Sequence, residues 1–143
     1  MKLRVLLFIA IVASLLTPWP AGSQQQSAPT DNTCGSAVDN CVLKASAGQL
    51  IGVYAFCTAA CWVMVFNSTA AQSNASTVAG PGSGTGAAAN NMVECFNIAA
   101  NDSRSLTYTS PRRFNTGITV MISSTSCASL TRSTVAFISG TTF

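Results

Sequence analysis

The sequence contains no histidine, and only 8% of its residues are charged. Histidine is the side chain most often used as a general base near neutral pH. Without it, proton transfer falls to four acids, Asp31, Asp39, Glu94 and Asp102, which are widely separated along the chain. No catalytic residue is assigned. Glu94 lies at even spacing from Phe96 and Ile98, so it is expected to point inward or to sit at a strand edge, in a structural role. A Ser–Lys pair built on Lys44 has nothing in the sequence to support it. The missing histidine also weighs against zinc, because the cysteine spacings include no C-x-x-C pair. No metal site and no cofactor is expected.

Basic residues are equally scarce. Beyond Lys2 and Arg4 they are Lys44, Arg104, Arg112, Arg113 and Arg132, nearly balanced by the four acids. Such a chain carries no basic field for nucleic acid. The doublet Arg112-Arg113, beside Pro111 and Phe114, reads as a solvated turn or an inter-subunit contact. The glycines of "GPGSGTG", residues 80–86, lack the Lys-Ser/Thr ending that a phosphate-binding loop needs. They belong to a long Gly/Ser/Ala/Asn stretch, residues 68–91, expected as a flexible loop. Three Asn-x-Ser/Thr triplets, at Asn67, Asn74 and Asn101, are no more than this composition produces by chance.

What is present begins with a basic head, "MKLR", and an uncharged run, "VLLFIAIVASLL", over residues 5–16. Pro18 and Pro20 break the run, and Ala21, Gly22 and Ser23 follow. This is the pattern of a cleavable export signal over residues 1–23, with the product starting near Gln24. A retained anchor is the alternative, but the run is short of the roughly twenty apolar residues that span a bilayer. No stable membrane span is expected after cleavage. Behind the signal lie six cysteines, Cys34, Cys41, Cys57, Cys61, Cys95 and Cys127. In an exported chain an even count reads as a disulfide framework, which places the protein in the periplasm or outside the cell.

Residues 24–40 read as a polar leader ending in a turn-rich loop from Cys34 to Cys41, and residues 41–143 as one domain. The uncharged stretch "LIGVYAFCTAACWVMVF", residues 50–66, admits a membrane helix, a soluble helix or two strands. Its β-branched and aromatic content favours strands. Folded at "TAA", it becomes a hairpin in which Cys57 faces Cys61, Phe56 faces Trp62 and Tyr54 faces Met64. Alternation then sorts Leu50, Tyr54, Phe56, Trp62, Met64 and Phe66 onto one face and Ile51, Val53, Ala55, Val63 and Val65 onto the other. Further strands are expected at residues 92–98, 105–109, 117–123 and 134–140, with Pro111 ending the second of these. Short strands at this spacing indicate an all-β, antiparallel β-sandwich of jelly-roll-like kind.

The stretches "LKASAGQLIGVYAF", "WVMVFNSTAA" and "VECFNIAANDSRSLTYTSPRRFNTGITVMISSTSCASLTRSTVAFISG" resemble a family of small β-sandwich proteins of tailed phages and prophages. The most specific pieces are Phe114, Thr116 and Gly117 before a β run, and the closing "AFISG". The resemblance spans about residues 41–143 and implies a non-enzymatic virion subunit, a decoration or fibre/neck-associated protein that contacts other virion proteins. Two features depart from it: the export signal, and the extra cysteines at 34, 41, 57 and 61. The alternative is therefore an exported, disulfide-stabilised β-sandwich binding module that meets a surface ligand through the Gly-rich loop, residues 80–86, and the hairpin tips.

The expected bridges are Cys57–Cys61 across the turn and Cys34–Cys41 around the short loop. Cys95–Cys127 follows by elimination and by likeness to the family, whose members often carry cysteines at such positions. A hairpin apolar on both faces, with few charges to guard strand edges, further leads to the expectation of a homo-oligomer.

Overall fold

The computed structural model describes residues 28–74, 78, 91–133 and 136–143. The expected signal, residues 1–23, and the glycine-rich stretch, residues 80–86, lie outside the described residues. Eight strands carry the fold: β1 (Thr30–Val38), β2 (Asn40–Lys44), β3 (Gly48–Cys57), β4 (Cys61–Phe66), β5 (Met92–Ile98), β6 (Asp102–Phe114), β7 (Ile118–Ser123) and β8 (Ala136–Thr142). They form two four-stranded sheets, A in the order β1-β8-β3-β6 and B in the order β2-β7-β4-β5.

This order has a simple origin. The first four strands pair with the last four in reverse: β1 with β8, β2 with β7, β3 with β6 and β4 with β5, all antiparallel. The chain is in effect one long antiparallel ladder rolled so that successive rungs fall in opposite sheets. The β3–β8 and β4–β7 pairs then complete each sheet. Eight strands so arranged are a jelly roll, the all-β sandwich that the strand spacing indicates.

The rolling corrects the reading of residues 50–66. Both halves are strands, but β3 and β4 belong to opposite sheets and make no hairpin. Phe56 lies opposite Ser103 and Phe137, and Trp62 opposite Asn97 and Ser123. The turn between them carries the chain across the core. A tight turn between two β-formers is compatible with either geometry, and the non-local partners decide between them. Each strand gains two neighbours in its own sheet, while Val53, Ala55 and Cys57 bury themselves in one core with Cys61, Val63 and Val65.

Two further expectations change. Thr30–Val38, read as leader and loop, is strand β1, paired with β8 from Thr30 opposite Thr142. Its Ser/Thr/Asn content hides a β-pattern that only the partner strand supplies. Strand β6 also runs through Pro111 to Phe114 instead of stopping before it. Proline lacks the amide proton, so it suits an edge strand or a bulge. Here it has both: β6 edges sheet A, and its register against β3 slips between Thr107 and Arg112.

The main core fills the space between the sheets. Strand β7 contributes Ile118, Val120 and Ile122, the alternation read from its sequence. A second cluster lies on the other side of sheet B, where Met64, Phe66, Met92 and Met121 pack under Val78 and Leu130. Polar groups on that side are met by the same covering segments. Thr119 Oγ1 donates to the Ser68 carbonyl at 2.7 Å, and Ser123 Oγ donates to the Ser129 carbonyl at 2.8 Å. Sheet B is thus a middle layer, while the outer face of sheet A has no such cover among the described residues.

Candidate functional site

The cysteines form the three expected pairs, Cys34–Cys41, Cys57–Cys61 and Cys95–Cys127, with Cα separations of 5.7, 6.3 and 5.9 Å. These distances lie in the ordinary disulfide range. Their roles differ from the sequence reading. Cys34 is on β1 and Cys41 on β2, Cys57 on β3 and Cys61 on β4, so both short bridges tie sheet A to sheet B. Cys95–Cys127 fastens β5 to the segment that covers sheet B. No thiol remains among the described cysteines, which implies an oxidising environment.

The scattered charged residues do not converge on a reaction centre. Glu94 meets Arg112 at 3.4 Å, and the Arg112 guanidinium lies 5.9 Å from the centre of the Tyr108 ring. Burial, reinforced by the Glu94 charge, pushes the Tyr108 hydroxyl above its usual range. Arg104 stands over Phe96 at 5.5 Å. These groups close the gap between β5 and β6 at one side of the sandwich. Arg112 and Arg113, expected in a turn, both lie within strand β6. Lys44 ends β2, with its stem packed close to Gly48.

The apolar face invoked for an oligomer is partly satisfied within the chain. Met64 and Phe66 are fully buried under the covering segments, which removes their share of that face, while Trp62, Tyr54 and Phe56 stay partly exposed. The strand edges are better guarded than the low charge suggested. Every charged residue within a described strand lies on an edge strand: Asp31 on β1, Lys44 on β2, Glu94 on β5, and Asp102, Arg104, Arg112 and Arg113 on β6. Charge and proline on edges oppose uncontrolled pairing.

Among the described residues, nothing roofs the outer face of sheet A, a grid set by strand register. Phe56 pairs across with Phe137 on one side and Ser103 on the other. Tyr54 is flanked by Ser139 and Ser105, and Gly52 by Thr141 and Thr107. Tyr54 and Phe56 are therefore bordered by hydroxyls on neighbouring strands, and Phe137 by the two aromatic rings of β3. Tyr54 and Phe137 are each 38% exposed, with ring centroids 6.0 Å apart in an edge-to-face arrangement. A shallow hollow of about 270 Å³ opens over Gly52, between Tyr54 and the Thr107 and Thr141 side. Charges appear only at the margins of this grid. On β1, Asp31 accepts a hydrogen bond from Thr141 Oγ1 at 2.5 Å, and Arg113 lies beyond the bulge.

Sequence reading found Tyr54 and Phe56 on one side of a strand but set them beside Met64 and Phe66, which belong to the other sheet. Phe137, Ser139 and Thr141 are not placed on this face by the sequence. Their alternation along β8 is visible, yet their neighbours depend on pairing between distant strands. No protein family, curated protein or solved structure matches the chain.

Proposed function

We propose that this chain is an exported, non-enzymatic binding module, stapled by disulfides, whose contact surface is the outer face of sheet A. The carrying observation is the asymmetry of the two sheets. Most of the outer face of sheet B is roofed by the chain's own segments, with Trp62 and Val42 partly exposed beside the roof. That of sheet A presents half-exposed aromatics among hydroxyls and has no such cover among the described residues. Solvent-exposed aromatics grouped on a rigid sheet are a common basis for recognition. Jelly rolls serve in both capsids and sugar-binding proteins, so the fold does not choose between the two readings of the sequence. Three closed disulfides favour the exported module over a virion subunit folded in a reducing cytoplasm. The basic head, apolar run and small residues at the N-terminus support the same choice.

The test is where the protein accumulates and in what redox state. Producing cells would be fractionated, and the protein alkylated without prior reduction and weighed by mass spectrometry. The expected result is a chain in the periplasm or medium that takes up no alkyl group. Recovery in the cytoplasm with free thiols, or as a component of purified phage particles, would sink the reading.

A further inference from the structure

We propose that the outer face of sheet A binds a neutral saccharide chain. This rests on the reading of that face as the contact surface and names its ligand class. Charge complementarity points first to an uncharged partner. The outward-facing central positions on β8, β3 and β6 carry no charge, Arg104 facing Phe96 on the other side, and the marginal Asp31 is already engaged by Thr141. The polar groups are hydroxyls almost throughout, and each both donates and accepts. A sugar presents the same dual groups at every ring position, so rows of serine and threonine satisfy it without a fixed donor–acceptor polarity.

The apolar part of the match comes from Tyr54, Phe56 and Phe137. A pyranose has C–H faces as well as hydroxyl edges, and those faces pack on aromatic carbon by dispersion. Beside these rings is the hollow over Gly52, whose volume of about 270 Å³ lies just under the span of small-ligand sites, roughly 300–1,000 Å³. It suits one ring of a longer chain. Its floor is backbone, because Gly52 has no side chain, and an added Cβ would sit 2.9 Å from the Leu106 carbonyl. A second copy of this protein fits the face less well. It offers only the same short hydroxyls and lacks the C–H faces of a sugar ring for the aromatics to pack on, and light scattering tells the two apart.

The experiment is affinity electrophoresis of the oxidised protein in native gels cast with hydroxyethyl cellulose, galactomannan or dextran, with carboxymethyl cellulose as the charged control. The protein should be retarded by at least one neutral polymer. Tyr54→Ala and Phe137→Ala should each weaken that binding about tenfold at an unchanged thermal midpoint. Val42→Ala, exposed on β2 of the opposite sheet, should leave it unaltered. No retardation in any neutral gel, retardation only by the charged polymer, or equal retardation of Tyr54→Ala would overturn the proposal. Light scattering separates the two levels of the reading. A dimer lost on Tyr54→Ala would replace the saccharide by a second copy and keep the contact surface, whereas cytoplasmic, reduced protein would defeat the exported module itself.

Discussion

Gly117 stands where the end of β2 and the segment after β4 crowd the start of β7. A Cβ added there would lie 2.8 Å from the Ser68 carbonyl oxygen and 2.9 Å from that of Lys44. Neither backbone atom can yield without shifting its own segment, so Gly117→Ala is expected to cost about 1–3 kcal/mol, read as a lower denaturation midpoint. The neighbours belong to the same joint: Phe114 is buried, and the Thr116 amide donates to Asn67 Oδ1 at 3.0 Å. The Phe-x-Thr-Gly step is thus a packing element. Asp39 makes a second local joint. Arg132 Nε lies 2.6 Å from its Oδ2, and this bond, helped by Asn40, holds the carboxyl below its usual range against the opposing effect of burial. A depressed folded-state pKa means stabilisation that is present above the unfolded aspartate value and lost as pH falls through the folded one. Asp39→Asn should therefore lower stability by about 1 kcal/mol at neutral pH. Urea titrations of variant and parent should converge in acid; a gap independent of pH would contradict the assignment.

Strands in a jelly roll need fastening where they change sheet, and two of the three disulfides sit at such crossings, β1 to β2 and β3 to β4. Their sequence separations are short, 7 and 4, against 32 for Cys95–Cys127. In the chain-entropy account the long link restrains the unfolded chain most, by about 3–4 kcal/mol, and the short ones by about 2–2.5 kcal/mol each. Paired Cys→Ala variants compared by chemical denaturation should rank in that order. The covering segment that the long link secures carries Leu130, 1% exposed against Met64 and Phe66. Leu130→Ala is expected to cost about 2–5 kcal/mol, because the cavity opens beneath a disulfide-anchored segment that is poorly free to collapse. A loss below about 1 kcal/mol would mean that this segment does not roof sheet B.

The strands stack in an unequal sandwich: an open sheet, a core, a second sheet, a second cluster and a roof. Within the strands charge follows this plan, lying on the four edge strands and absent from β3, β4, β7 and β8. The inner strands hold two ladder partners each and most of the fully buried side chains. Amide hydrogen exchange should accordingly be slowest in those four strands, with β6 around Pro111 among the fastest of the ladder segments. Comparable protection of the β6 bulge and β7 would argue against the order of strands described.

Most strands, the two short disulfides and the all-β class were legible because they rest on local chemistry. By contrast, β1 and β2 do not read as strands from the sequence, and Cys95–Cys127 follows only by elimination and family likeness. Alternation along β7 marks Ile118, Val120 and Ile122 wherever the strand is placed, and Met92–Ile98 reads as a strand from its residues alone. The partners were not legible. Whether β3 turns back on β4 or crosses to the other sheet depends on competition among strands up to the far end of the chain, where β8 claims the place beside β3. That competition decides which apolar faces are covered. It buries Met64 and Phe66 beneath loops, and it gathers Tyr54, Phe56 and Phe137 from two strands onto an open face. A strand's side chains alternate by covalent geometry, but what each side meets is settled by long-range packing.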